Sequence, residues 1–266
     1  KKKTTDIKKK FAVKEFHILL FPPVFWLVLF FVIPLILVIM YSFSTKGVHG
    51  GVELSFSLNN YKEIFQGLYL KVLLQSFWYA LVATILTLSL AYPIAYYMAF
   101  APPKIKMLIM FLIILPFWTN FLIKMYALMT ILGDSGLINS ALMGIGLIKN
   151  PLPMMNNTFA VFVGFVYWNL PFMVLPIFSS LDRMDVSLLE ASMDLGASRG
   201  QTFRKIILPY SLPGLVAGII FCFVPTMGNF VIPDLLGGTN NFMIGNVITS
   251  QFIQARNWPF GSVTSN

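Results

Sequence analysis

The 266 residues are 57% hydrophobic and 11% charged, against roughly 25% charged in an ordinary soluble domain, which excludes a water-soluble globular protein. Lys and Arg outnumber Asp and Glu to give a net charge of +9, and the placement of that surplus decides between a nucleic-acid surface and a membrane orientation. The single cysteine, Cys222, excludes an internal disulfide or a CxxC metal site and reads as a small buried side chain within an apolar run.

In chain order, a basic tail covers residues 1–17, and the apolar run Ile18 to Phe43 follows. That run far exceeds the 7–15 apolar residues of a signal peptide, so it reads as an uncleaved helix. Four more runs follow: Val72 to Ala101, Met107 to Leu132, Pro151 to Leu181 and Ile206 to Pro233. Each reaches the length of about 20 residues that a helix needs to cross a hydrocarbon core. The pattern predicts an all-α integral membrane protein, a polytopic bundle with one transmembrane domain over 18–233 and no separate soluble domain.

Charge placement orients it. With the N-terminus cytoplasmic, the inside segments hold Lys1, Lys2, Lys3, Lys8, Lys9, Lys10, Lys14, Lys104, Lys106, Arg183, Arg199, Arg204 and Lys205. The outside segments hold only Lys46, Lys62, Lys71, Lys149 and Arg256, as the positive-inside rule asks. The surplus therefore orients the chain in a lipid bilayer and implies no nucleic acid. In this orientation Ser44 to Leu70 and the glycine-rich stretch Gly133 to Asn150 are outside loops, and Pro102-Pro103-Lys104 is an inside turn. Residues 234–266 form an extracytoplasmic segment.

Pro34, Pro93, Pro116, Pro171, Pro176 and Pro225 interrupt the spans, each deleting a backbone hydrogen bond that lipid cannot replace. Such breaks are tolerated where neighbouring helices or a water-filled cavity satisfy the freed carbonyls, so they fit either packing kinks or a transport path.

The one substantial inside loop, 182–209, reads as two short helices. Ser187 and Glu190 have the spacing of a capping box, Gly196 suits the left-handed residue that closes a helix, and Ser198 with Gln201 forms a second box. The second helix is expected to stop at Leu208, before Pro209. The first is about two turns, too short to stand alone in water. Leu188, Leu189, Met193 and Leu195 supply its apolar area, while Glu190 and Asp194 sit four apart on one face. Such a knob suits docking into a groove of a partner.

Glu190-Ala191-Ser192, Gly196 six residues after the glutamate, and the ending Ile206-Ile207-Leu208-Pro209 resemble the E-A-A-x-x-x-G-x(9)-I-x-L-P signature of ABC-importer permeases, with Ser192 in place of the second alanine. The resemblance implies the type I importer permease fold and gives Ser187, Leu188, Leu189, Glu190, Ala191, Ser192, Asp194 and Gly196 the role of a coupling helix resting on an ATP-binding subunit. It also implies the partners: a second permease subunit, two ATP-binding subunits and an extracytoplasmic solute-binding protein. Leu115-Pro116-Phe117-Trp118-Thr119-Asn120, Tyr167-Trp168-Asn169-Leu170-Pro171-Phe172, Pro233-Asp234-Leu235-Leu236-Gly237-Gly238 and Ile244-Gly245-Asn246 are similar to segments of the spermidine/putrescine permeases. Family members continue past a W-P-x-G-S segment, matched by Trp258 to Ser262, into a sixth helix, so a sixth span of about 20 residues is expected beyond Asn266.

For a translocation path the candidates are Trp118, Asn120, Lys124, Tyr167, Trp168, Asn169 and Asp234. Lys124 is the one charge inside a predicted span; it is either a group of the path or a side chain that snorkels to the interface. Trp118, Tyr167 and Trp168 could offer ring faces to an ammonium group or belong to an interfacial aromatic belt. Asp134 and Asp234, both outside, are candidate cation attractors. No Asp, Glu or His lies within a span, His17 and His49 included, which argues against an ion-coupled secondary transporter. The sequence also lacks HExxH and G-x-x-x-x-G-K, so metal hydrolysis and ATP binding have no residues here. The reading is of a permease without catalytic residues, metal or cofactor, driven by an ATPase on another chain.

Overall fold

A computed structural model describes residues 19–47, 51–65 and 67–265. The basic tail 1–17, His17 and His49 lie outside the described residues. Among the described residues, five helices are long and apolar enough to cross a membrane. The chain divides into two compact units, one from residues up to Gly67 together with Val247 onward, the other from Leu68 to Asn246.

In the first unit, helix α1 (Leu19–Ser42) carries a π turn at Val28–Val32 just ahead of Pro34. The extra residue of such a turn absorbs a position where the proline has no N–H to give. A short antiparallel pair, β1 (Thr45–Lys46) and β2 (Val52–Glu53), and helix α2 (Asn59–Ile64) follow, so the loop read at 44–70 has local structure. Ser42 Oγ and Tyr61 Oη, 2.8 Å apart, fasten α2 to the end of α1. In the same unit the C-terminal helix Trp258–Ser265 buries Pro259, Phe260 and Val263 and sets Trp258 6.4 Å from Tyr41.

The second unit is built on helices α3 (Gly67–Phe100), α4 (Pro103–Ile114), α5 (Phe121–Leu132), α6 (Leu137–Gly144), α7 (Thr158–Leu181), α8 (Ser187–Asp194) and α9 (Arg199–Met227). α7 and α9 pack along their length, and Gly214-x-x-x-Gly218 lets them approach. A side chain at Gly214 would meet the backbone carbonyl of Pro176, and one at Gly218 would come 2.8 Å from Met173 Sδ. Small residues at such a crossing replace the hydrophobic drive that lipid does not supply. Ala91, Ala95 and Met98 of α3 join Met173, Val174, Ile177 and Cys222 in one core cluster. Tyr79 and Ala83 join Val161, Phe165, Ile232 and Leu236 in a second.

Four boundaries differ from the sequence reading. The run 107–132 is not one helix: α4 ends in a 3₁₀ turn at Leu115–Trp118, Thr119 and Asn120 are extended, and α5 starts anew. Pro116 cannot donate back along α4, and the Asn120 side chain caps α5 by accepting from Leu122 N–H at 2.8 Å. The segment long enough to cross is Phe121–Gly144, itself bent at 133–136, so the stretch read as the loop 133–150 contains α6. Its buried Asn139 ties the bend before α6 to the chain after it, donating to the carbonyls of Gly133 and Leu152 and accepting from Leu152 N–H.

The helix expected to stop at Leu208 does not. It runs from Arg199 to Met227 through a π turn at Phe203–Ile207, which shifts the ladder so that Pro209 falls at the start of a fresh α-helical segment. At its far end the run to Pro233 divides at Gly228, beyond which a separate helix, α10 (Val231–Leu236), begins.

Candidate functional site

The 182–209 segment is fixed at both ends. Lys106, in the first turns of α4, forms an ion pair with Asp182 at the end of α7 and lies 5.6 Å over the Phe178 ring. Ser180 Oγ donates to Tyr210 O, and Tyr210 Oη donates to Arg183 O, both at 3.0 Å. Between these anchors, α8 begins differently from the sequence reading. Ser187 is its first helical residue, and the cap is supplied by Asp185, whose carboxylate accepts from Ser187 N–H at 3.0 Å. That backbone bond holds the Asp185 carboxyl below its usual range. Glu190 stays in the first turn and is exposed, where its charge suits the positive end of the helix.

The C-terminus of α8 is a complete Schellman turn. Gly196 has φ +82°, its N–H donates to Met193 O at 2.9 Å, and Ala197 N–H donates to Ser192 O at 3.0 Å. Ser198 and Gln201 form both bonds of the second capping box. Ser192, the departure from the E-A-A pattern, is buried. Its Oγ donates to Leu189 O at 2.8 Å and lies 2.9 Å from Thr202 Oγ1, which clasps α8 to the first turn of α9.

On this fixed base Leu189 packs inward against the core. Leu188 and Met193 are about half exposed, Leu195 is 89% exposed, and Ala191 and Asp194 are exposed beside them. A short rigid helix thus presents an uncovered apolar ridge flanked by carboxylates.

The break between α4 and α5 gathers a second set of groups. Lys124 donates its Nζ to Pro116 O at 3.0 Å and sits 5.0 Å from the Trp168 ring centre and 5.9 Å from that of Phe117. Trp168 packs edge-on against Phe121 at 4.6 Å. Tyr167 and Pro171 complete the wall around Lys124, and with Pro93, Tyr97 and Pro116 they also line an adjoining apolar cleft of about 580 Å³. Three of the span prolines therefore face one space.

Lys124, Tyr167 and Trp168 come together, and the other path candidates do not. Trp118 is 82% exposed and Asn120 serves as the cap of α5. Asn169 faces α9 instead, fully buried, donating to Thr226 Oγ1 at 2.9 Å. Asp234 is exposed on α10. A network that sequence reasoning missed holds the segment after α10: Tyr79 Oη and Thr158 Oγ1 both donate to Asn241 Oδ1, at 2.6 and 2.9 Å. Its members lie up to 162 positions apart, and no local pattern links them.

A polytopic helical bundle, with a capped amphipathic helix projecting from the loop between its two most closely packed spans, defines an importer-type membrane permease. The chain belongs to the family of binding-protein-dependent transport system inner membrane components, whose model matches residues 91–264. It is 47% identical over 240 residues to the spermidine/putrescine transport system permease protein PotB of Salmonella typhimurium, covering 90% of this chain and 84% of that one. The PotB proteins of Escherichia coli K12 and Haemophilus influenzae are 46% and 42% identical over the same length, again 90% of this chain and 87% and 84% of theirs. Among solved structures, a chain of a bacterial alginate ABC transporter in complex with an alginate-bound periplasmic protein has the same fold, with a TM-score of 0.73 at 16% identity, over 98% of this chain and 90% of that one.

Proposed function

We propose that this chain is the membrane-spanning subunit of an ATP-driven importer that carries polyamines such as spermidine and putrescine inward, with ATP hydrolysed on a separate subunit. The observation that carries the reading is the segment Glu190-Ala191-Ser192 to Gly196: a signature of the importer class, folded as a short helix that leaves Leu188, Met193 and Leu195 exposed. A helix of two turns gains little by exposing leucine and methionine to water, and a groove on an ATP-binding subunit is the surface that would cover them.

In this reading α8 lies at the cytoplasmic face with Lys104, Lys106, Arg199, Arg204 and Lys205, the N-terminus lies on the same side, and Asp234 lies outside. Two permease subunits enclose the path, two ATP-binding subunits drive alternating access through α8, and a soluble binding protein delivers the solute. Polyamine as the solute rests on the 42–47% identity to the PotB proteins and on ring faces grouped around an ammonium at the broken helix.

The test is transport. The chain is reconstituted into liposomes with its companion permease, ATP-binding and binding-protein subunits, and uptake of labelled putrescine and spermidine is followed. ATP-dependent accumulation that unlabelled polyamine suppresses is the expected result. ATP-dependent accumulation of an iron or anion complex in its place would overturn the polyamine assignment.

A further inference from the structure

We propose that the wall around Lys124 is a primary-ammonium site, and that the Lys124 side chain is its resident occupant, displaced by the amino group of a passing solute. The inference rests on the polyamine reading above and deepens it. The site consists of the Pro116 carbonyl, 3.0 Å from Nζ, with the Trp168 and Phe117 rings whose centres lie 5.0 and 5.9 Å from it. Both rings fall within the roughly 6 Å at which a ring face attracts a cation. The carbonyl stands at the end of the α4 half-helix, where the backbone dipoles favour positive charge. None of these groups is specific to lysine; together they recognise any alkylammonium.

Three observations separate an occupant from a structural strut. Pro116 O already accepts from Thr119 N–H at 3.3 Å and Thr119 Oγ1 at 2.8 Å, so the carbonyl is satisfied without Lys124. Among the described residues Lys124 forms no ion pair, so no carboxylate locks its charge in place. The site shares Pro116, Tyr167 and Pro171 with the 580 Å³ cleft, whose remaining wall is almost wholly apolar apart from Tyr97. That cleft suits the methylene chain of a diamine whose terminal ammonium reaches Trp168.

Two cations cannot share one carbonyl and one ring face, so the incoming amine moves Lys124 aside on its flexible four-carbon stem. The return of Lys124 then expels the amine. The device gives the path an ammonium filter without a tight site that would trap the solute.

The complete complex without its binding protein, in lipid nanodiscs, provides the assay, with labelled putrescine as the probe in equilibrium binding. Lys124→Met empties the site and should tighten putrescine binding about tenfold or more. Lys124→Arg should stay as weak as the parent, and adding Trp168→Leu to Lys124→Met should remove the gain. Copurification of the ATP-binding subunits reports assembly, and Lys124→Gln serves if Lys124→Met assembles poorly. Binding that is unchanged or weaker in the neutral variants, or a gain that survives Trp168→Leu, overturns the inference. Polyamine uptake by the parent complex is scored separately, so its absence refutes the transport reading and its presence with unchanged binding refutes only the displacement.

Discussion

The hydroxyls of Ser192 and Thr202 lie 2.9 Å apart and are both buried, joining the end of α8 to the first turn of α9. A buried hydroxyl pair of this kind is worth about 1 kcal/mol net, and more when one partner is left alone. Ser192→Ala and Thr202→Val should each lower the thermal unfolding midpoint of the purified permease. The double variant should cost little more than one single change, because the two act on one interaction. Additive losses would show that the clasp is not the shared term.

Gly196 closes α8 at φ +82°, and no neighbouring atom lies within 4 Å of the position a Cβ would take. Gly196→Ala therefore tests backbone strain alone, at about 1–2 kcal/mol, while Gly196→Asn, which tolerates this conformation, should cost less. Solute-stimulated ATP hydrolysis by the complex should follow the same order: Gly, then Asn, then Ala.

The two glycines of the α7–α9 crossing are predicted to differ. At Gly214 a methyl group meets the Pro176 backbone, which cannot yield, whereas at Gly218 it meets the flexible end of Met173. Gly214→Ala should destabilise by about 1–3 kcal/mol and Gly218→Ala by clearly less, as read from unfolding in detergent. Equal costs would mean the crossing relaxes as a whole.

Much of the 182–209 segment was legible because its signals are local. Gly196 as a left-handed stop and Ser198 with Gln201 as a capping box depend on neighbours three or four residues away, and both form. The Ser187 cap failed because Asp185 lies close enough to bond Ser187 N–H first, so a competing local acceptor won. The stop at Pro209 failed because a π turn at 203–207 spends one extra residue and absorbs the missing N–H, an option that a proline rule does not weigh. The partners of Lys124, the Asn241 network and the turning of Asn169 away from Trp168 depend on tertiary placement and left no mark in sequence spacing.

Asp185 carries a pH prediction. Its carboxyl is held below the usual carboxylate range by the Ser187 N–H. A lowered folded-state value means that its stabilisation is fully present above the ordinary value, near 4, and is lost as pH falls through the lower folded value. The difference in unfolding midpoint between the parent and Asp185→Ala should be constant from about pH 6 to 8 and shrink only as the solution becomes acidic enough to protonate Asp185. A difference that grows on acidification would contradict the assigned bond.

The claim that α8 transmits ATP-driven motion is tested most directly by replacing Ser187 to Gly196 with a Gly/Ser linker of equal length in the reconstituted complex and measuring ATP hydrolysis with and without the solute-loaded binding protein. Without the α8 helix, solute should no longer stimulate hydrolysis and uptake should stop, while the spans remain folded. Stimulation that survives the replacement at the parent level would contradict it.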